Sequence, residues 1–532
     1  MTAQVCDAVV VGAGPNGLVA ANALADAGWD VVVLEANDTV GGAVRSAEVT
    51  RPGFVTDLFS AFYPLAAASP VIRDLDLERH GLAWERSPAP LAHVLDDGFC
   101  AVIEDRAEDT AAGLEAEAPG DGDAWLELVR QWDAVRDGVL DALFTPFPPV
   151  RPLARLVRAA GTGGTLDLVR LALTPVRRLG TERFRGQGGP LLLTGNAMHS
   201  DLPPDASGSG LFGWLLAMLA QDVGFPVPRG GAGELTQSLA RRAESLGAQV
   251  RTGTRVTRVT VRDGRARGVV CADGTSVVAR RAVLTDVSAP ALYGDLLEPG
   301  HVPPSYRRAL ERFEWDASTI KVNWALSQRI PWTAPGARGA GTVHLGVDLD
   351  GFVDVSAALT TGRVPQRPFM LFGQMATADA SRAPEGCETA WAYTHVPRSL
   401  PWDRSMVDDH VERVQDAVER VAPGFGATVL DRVVQGPADL EESDANLSFG
   451  AINGGTSGLH QQFVFRPAQG LGRAETPIPG LLLASASAHP GGGVHGACGW
   501  NAARAALADT GPTRLVHRAL VRTAWSRVLP RD

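Results

Sequence analysis

Six residues near the start, Gly12-Ala13-Gly14-Pro15-Asn16-Gly17, follow an apolar run at 6–11 and precede the helical pattern LVAANALADAG. A second apolar run at 30–34 ends at Glu35, which lies 35 minus 12, or 23, residues after Gly12. Strand, glycine turn, helix, strand and acid in this order specify a βαβ unit that holds a dinucleotide. Gly12 permits the tight turn, Gly14 lets backbone approach a diphosphate, and Gly17 lets the helix pack closely. Pro15 and Asn16 belong to the same cofactor-binding turn, and Glu35 is placed to accept hydrogen bonds from the ribose hydroxyls.

NAD and FAD both suit that unit, so the distinction lies further along. Gly41-Gly42 follow Glu35, and Arg45 comes three residues later. The glycine pair lets a loop close over a diphosphate, and Arg45 offers charge-assisted bonds to it. This extended pattern favours FAD. A later cluster, Gly230-Gly231-Ala232-Gly233, follows Phe225-Pro226-Val227-Pro228 and no apolar strand, so no NAD(P) unit is expected there. Near the C-terminus an apolar strand at 480–484 leads into His489-Pro490-Gly491-Gly492-Gly493-Val494-His495-Gly496 and then the helical NAARAALAD. Amides at such a helix start can stabilise negative charge on a reduced flavin. His489, Gly492, Gly493 and Val494 are therefore placed at the cofactor. For His489 and His495 a structural role competes with metal or acid-base work.

The chain has 532 residues and a formal charge of −11, which suits two domains and argues against a nucleic-acid partner. Five scattered cysteines show no metal or disulfide spacing, so no metal is expected and a reducing, cytoplasmic setting fits. MTAQVCD runs directly into a strand, without the pattern of a signal peptide. The apolar LFGWLLAMLA at 211–220 is about half the ~20 residues of a membrane span and reads as a buried helix. At 513–532 a basic helix is expected, with arginines at 514, 518 and 522. It is either the solvated face of a docked helix or a peripheral membrane contact.

Lys plus Arg total 49, yet only one residue is lysine, Lys321, in Ser318-Thr319-Ile320-Lys321-Val322-Asn323-Trp324-Ala325-Leu326. Exposed positive charge accepts arginine readily, whereas a compact amine with a movable pKa does not. Alternation places Lys321 and Asn323 on one strand face, with Ile320, Val322, Trp324 and Leu326 on the other. Lys321 is thus a catalytic candidate beside a cavity. His199 and His344 are further pocket candidates, each also readable as a satisfied structural histidine.

Together VVVGAGPNGLVAANALADAG, VPRGGAGEL, IKVNWAL, GTVHL, WAYTHVP, INGG and HPGGGVHGACGWNAA resemble the phytoene-desaturase-like branch of the FAD-dependent amine oxidase superfamily, within it the pyridine nucleotide-disulphide oxidoreductase domain-containing protein 2 group. The resemblance spans nearly the whole chain. It implies an α/β two-domain fold: a Rossmann-type FAD domain plus a mixed-sheet and helical substrate domain. The FAD domain is expected at 1–75, 230–295 and 470–512, and the substrate domain at 76–229 and 296–469. It also implies that backbone near Val256 contacts adenine, that Thr285-Asp286 lies near the nucleotide, and that Lys321 approaches flavin N5 through a water. Two departures stand out: Ala43 where relatives have arginine after the glycine pair, and Phe449-Gly450-Ala451 where two glycines and an acid are expected. The implied activity is hydride transfer from an organic, lipophilic small-molecule substrate to flavin N5, with oxygen or a quinone as acceptor. Alternatives are a flavin-dependent double-bond isomerase, an amine oxidase, or a non-catalytic FAD-binding interaction protein.

Overall fold

The computed structural model describes residues 4–529, in which two seven-stranded sheets are joined and flanked by helices. The first sheet runs through Val256–Arg262, Arg265–Cys271, Ser276–Thr285, Gln4–Val11, Val31–Leu34 and Gln249–Arg251, with Leu481–Leu483 also paired to Ser276–Thr285. Its centre is parallel, since Gln4–Val11 pairs in parallel with both Val31–Leu34 and Ser276–Thr285. One edge of Ser276–Thr285 is divided between two partners. Residues 276–278 pair antiparallel with Arg265–Cys271, and residues 283–285 pair parallel with Leu481–Leu483.

Burial on both faces explains why the first strand lacks polar alternation. Ala8 and Val10 enter a core shared with helices Pro15–Asp26, Gly233–Ser245 and Ala497–Thr510. Val9 and Val11 enter the opposite core, with the 256–271 hairpin, Tyr306 and Trp525. Trp525 belongs to the C-terminal helix Arg514–Val528, and its ring lies 5.4 Å from that of Tyr306.

The second sheet runs Val429–Gln435, Ser318–Leu326, Glu388–Val396, Met370–Gln374, Ala340–Leu345, Ala89–Val94 and Cys100–Ile103. Its pairs are antiparallel except Ala89–Val94 with Ala340–Leu345. Ile320, Val322, Trp324 and Leu326 pack with Val407, Val411, Val414 and Val418, an i, i+4, i+7, i+11 stripe of helix Arg404–Val421. That packing turns Lys321 and Asn323 to the other face. Helices Asp121–Phe144, Gly188–Ala197 and Ser209–Asp222 bury Trp125, Trp132 and Trp214 and cover the Ala89–Ile103 end of this sheet. The stretch LFGWLLAMLA is the body of Ser209–Asp222. Among the described residues no helix is long and apolar enough to cross a membrane, no cysteines are paired, and no cluster of side chains suits a metal ion.

Candidate active site

The glycine turn sits where Gln4–Val11 hands over to Pro15–Asp26. Gly12 has φ +95°, which a side chain would resist, and a Cβ on Gly17 would collide with Gly12 O. Pro15 occupies the first helical turn, where its missing N–H costs nothing. Glu35, 5% exposed, accepts from Ala13 N at 2.8 Å and Asn37 N at 2.8 Å, one donor on each oxygen. Each oxygen therefore keeps a lone pair for a ribose hydroxyl. Thr254 N donates to Glu35 O at 2.7 Å, so the strand that begins at Val256 starts beside this acid.

Asp286 follows Ser276–Thr285, and its Oδ2 accepts from Gly17 N at 2.8 Å, capping Pro15–Asp26 from outside the helix. Burial pushes its carboxyl up to about 7, despite the Gly17 bond, with Asp444 and Glu35 adding repulsion. The amides of Gly14 and Asn16 have no acceptor among the described residues, leaving donors at a helix start for a diphosphate. Gly42 approaches Gly14 closely: a Cβ on Gly42 would lie 3.2 Å from Gly14 Cα and 3.4 Å from Asp444 Oδ2. These glycine surfaces, open donors and ribose acid fit FAD. Arg45 lies nearby, donating to Gly42 O at 2.9 Å and Ser443 O at 2.7 Å, with its guanidinium 5.2 Å from the Phe59 ring centre.

The second glycine turn reaches the same groove from the C-terminal side. A Cβ on Gly493 would lie 2.7 Å from Leu65 Cδ1, and one on Gly492 would lie 2.9 Å from Asn453 O. Val494 has φ +50°, a costly conformation for a β-branched residue. Helix Ala497–Thr510 crosses Pro15–Asp26 with Gly499 directly against Asn16 O. His489 Nε2 donates to Thr145 O at 3.2 Å, and its ring packs near Phe147 and Phe463. Because a carbonyl only accepts, His489 Nε2 carries the proton there. His495 Nδ1 accepts from Ala497 N at 3.1 Å. Burial holds both imidazoles down to about 4, so both are neutral at pH 7.

Segment 57–65 bridges the glycine turns and Lys321. Leu58 N donates to Arg45 O, Ser60 Oγ to Ala43 O, and Leu65 faces Gly493. At its start, Asp57 O accepts from Lys321 Nζ. Lys321 is 2% exposed, and Nζ also donates to Asn323 Oδ1 at 2.6 Å. Asn323 Nδ2 in turn donates to Gln435 Oε1 at 3.0 Å. Burial lowers the Lys321 amine to about 7; the Asp57 carboxylate pulls it upward, and the Arg382 guanidinium pushes it down. A neutral amine has two N–H groups, which these two acceptors satisfy, and its lone pair stays free.

Around Lys321 the surface is aromatic. Nζ lies 5.5 Å from the Trp391 ring centre, Trp391 stacks on Tyr393 at 6.0 Å, and Phe62 stands 6.0 Å from Trp391. Gly373, opposite Trp391 in the sheet, leaves the space its ring occupies. Phe62, Tyr393 and His199 remain only half-buried among buried neighbours. His199 and His344 face each other with Nε2 atoms 2.9 Å apart, and Phe225 lies 6.1 Å from His199. One of those nitrogens donates and the other accepts, so the pair is neutral and holds one shared hydrogen bond. Burial keeps both low, His199 at about 3 and His344 well below the ordinary histidine value. The structure thus brings His199 and His344 together, with Phe225, Phe62 and Trp391 lying between them and Lys321.

Three sets of residues at the site carry no functional mark in the sequence. Asp57 and Arg382 form a wholly buried ion pair, with Nη2 2.6 Å from Oδ1. Asp57 Oδ2 has no hydrogen-bond partner among the described residues. Ser443, Asp444 and Asn446 lie over the first glycine turn: Asn446 accepts from Ser288 N at 2.8 Å and donates to Asp286 O at 3.1 Å. Trp391 and Tyr393 were visible only as part of WAYTHVP; the i, i+2 alternation of that strand was the signal that places them on one face.

Comparison with known proteins agrees with this architecture. The family model described as "Flavin containing amine oxidoreductase" matches residues 177–507, and one described as "NAD(P)-binding Rossmann-like domain" matches residues 10–75. The mouse pyridine nucleotide-disulfide oxidoreductase domain-containing protein 2 is 30% identical over 94% of this chain and 93% of its own. A zeta-carotene-forming phytoene desaturase of Myxococcus xanthus is 27% identical over 91% of this chain and 90% of its own. The crystal structure of an oxidoreductase from Methanosarcina mazei superposes with a TM-score of 0.61 at 14% identity, covering 94% of this chain and 99% of the other. With the ribose acid, paired glycine turns and buried strand lysine in place, the chain belongs to the flavin-containing amine oxidoreductase family and is an FAD-dependent oxidoreductase.

Proposed function

We propose that this chain desaturates an apolar organic substrate lying on the aromatic face beside Lys321, and passes the electrons to oxygen or a quinone. The observation that carries this reading is the row of rings that starts with Trp391, 5.5 Å from the neutral-poised Lys321 amine, and continues through Tyr393, Phe62 and Phe225, with the nearest carboxylate, Asp57, committed to Arg382. A charged amine substrate would lie beside the Lys321 amine with no free carboxylate to pair with, whereas a hydrocarbon packs on the ring faces and needs no counter-charge. The phytoene desaturase relative supports a polyene-like substrate.

FAD supplies the two-electron acceptor for a hydride. Loss of hydride from an allylic C–H leaves positive charge on carbon, which the faces of Trp391 and Tyr393 are placed to stabilise. The neighbouring carbon then releases a proton to the free lone pair of Lys321, and its C–H electron pair becomes the new double bond. Asp57 O and Asn323 hold Nζ in place during that transfer.

Anaerobic mixing of the flavin-loaded protein with dispersed polyenes and with aliphatic amines tests the substrate class through bleaching of the flavin absorbance. Bleaching by polyenes alone is expected; bleaching by amines alone refutes the reading. Reoxidation by oxygen and by a soluble quinone, followed in stopped flow, identifies the acceptor. Product formed with no acceptor consumed would assign double-bond isomerisation instead.

A further inference from the structure

A cavity of about 440 Å³ opens where the start of helix Val150–Leu173 meets helix Ala497–Thr510 and the start of Arg514–Val528. Neither glycine turn nor the Lys321 face contributes to it. Its size falls within the ~300–1,000 Å³ of small-molecule sites. Arg151, Arg155, Arg473, Arg504 and His517 line it, and no carboxylate does. Asp141 pairs with Arg155 and Glu475 with Arg473, but Arg151 and Arg504 have no ion pair among the described residues. Two unpaired guanidiniums beside proline, valine and alanine walls suit an anion joined to an apolar body.

The two rim helices carry the matching apolar surface. Val150, Leu153 and Val157 are exposed at i, i+3, i+7 before the backbone breaks at Gly161, and Leu166, Val169 and Leu173 repeat that spacing after it. On the C-terminal helix Leu515, Val516 and Leu520 are 73%, 63% and 65% exposed, while Trp525 anchors the helix to the fold. Large aliphatic side chains so exposed on adjoining elements mark an interaction surface. The charge is also local. Val150–Leu173 has four arginines and one acid, 4 minus 1, or +3, and Arg514–Val528 has four arginines and no acid, in a chain of net −11. Basic side chains interleaved with aliphatic ones on surface helices fit an anionic bilayer.

We propose that this face rests on an anionic membrane and that the cavity takes the phosphate-bearing head of an anionic lipid, with Arg151 and Arg504 binding the phosphate. The exposed aliphatic residues then enter the interface beside the lipid chains. This proposal is independent of the substrate assigned above.

Flotation of the flavin-loaded full chain with vesicles of phosphatidylcholine alone, and of phosphatidylcholine mixed with phosphatidylglycerol, tests it. Binding is expected only with phosphatidylglycerol. Arg504→Gln should weaken binding tenfold or more, against about fivefold for Arg522→Gln, which removes the same charge outside the cavity. Ala508→Phe, which fills the cavity without changing charge, should also weaken binding, and flavin absorbance checks that each variant is folded. Equal losses for Arg504→Gln and Arg522→Gln, with Ala508→Phe unaffected, overturn the headgroup site. Stabilisation by soluble glycerol phosphate with no vesicle binding assigns the cavity to a free phosphate ester and overturns the membrane proposal.

Discussion

Replacing Lys321 with methionine keeps the length and apolar stem of the side chain and removes its only titrating group. The amine falls from 10.5 in the unfolded chain to about 7 in the fold. Between those values the folded state binds one proton fewer than the unfolded state, so the sign is fixed: stability rises with pH through this window. At ~1.4 kcal/mol per tenfold change in proton affinity, the full span is worth on the order of 5 kcal/mol. Lys321→Met should abolish that contribution, and it should be more stable than wild type below pH ~7, where wild type carries a buried cation. The assay is guanidinium unfolding of both proteins across about pH 6 to 10, comparing the difference in their free energies so that other titrating groups cancel. Kinetics give a second readout. Flavin reduction by substrate should rise with pH through about 7 in wild type, as the neutral base appears, and be slow and flat in Lys321→Met. Parallel stability curves together with a retained pH step in the variant would falsify both the low amine pKa and its role as base.

The remaining expectations concern the cofactor groove and the buried pair. A diphosphate arriving beside Asp286, itself near 7, should raise that carboxyl further, so FAD binding takes up a proton and affinity falls as pH rises above about 7. Titrating flavin-free protein with FAD at several pH values should show this slope, and Asp286→Asn should lose it; an unchanged slope in the variant refutes the assignment. Arg382→Met leaves Asp57 buried without its partner and should cost about 3–5 kcal/mol in chemical unfolding, with Asp57→Asn added to it recovering part. Independent, additive losses in that double variant would show the pair is not coupled. Val494→Gly relieves the φ +50° strain and should keep or raise the melting temperature by the equivalent of ~1 kcal/mol, while bound flavin becomes more mobile by fluorescence anisotropy. A large drop in melting temperature would mean the Val494 side chain matters more than its backbone.

The nucleotide end was legible because its chemistry is local. A strand, a positive-φ glycine, a helix start and an acid must fall at fixed spacing, and Gly12, Gly17 and Glu35 stand in one short stretch. Lys321 was legible for a different reason, its isolation among 48 arginines, 49 minus 1, combined with two-residue alternation. What surrounds these residues was not. Asp57 meets Arg382 across 325 residues, 382 minus 57, and each looks like an ordinary surface charge in the sequence. Asp444 and Asn446 reach the glycine turn from the segment that follows Val429–Gln435, the edge strand of the second sheet. Such meetings depend on how the two sheets sit against each other, which no local pattern encodes. The C-terminal helix shows the same limit: its arginine spacing was plain, but only the Trp525–Tyr306 contact reveals which side is docked and which side is bare.

The divided edge of Ser276–Thr285 also imposes a timetable on biosynthesis. Its last three residues lack one neighbour until Leu481–Leu483 has been made, and the two glycine turns are 492 minus 12, or 480, residues apart. A ribosome must therefore have made both glycine turns before the flavin can be enclosed. Until then an unpaired strand edge is exposed, the kind of edge that pairs with another copy. Captured flavin would then mark molecules in which both turns have been made and Leu481–Leu483 has closed the edge.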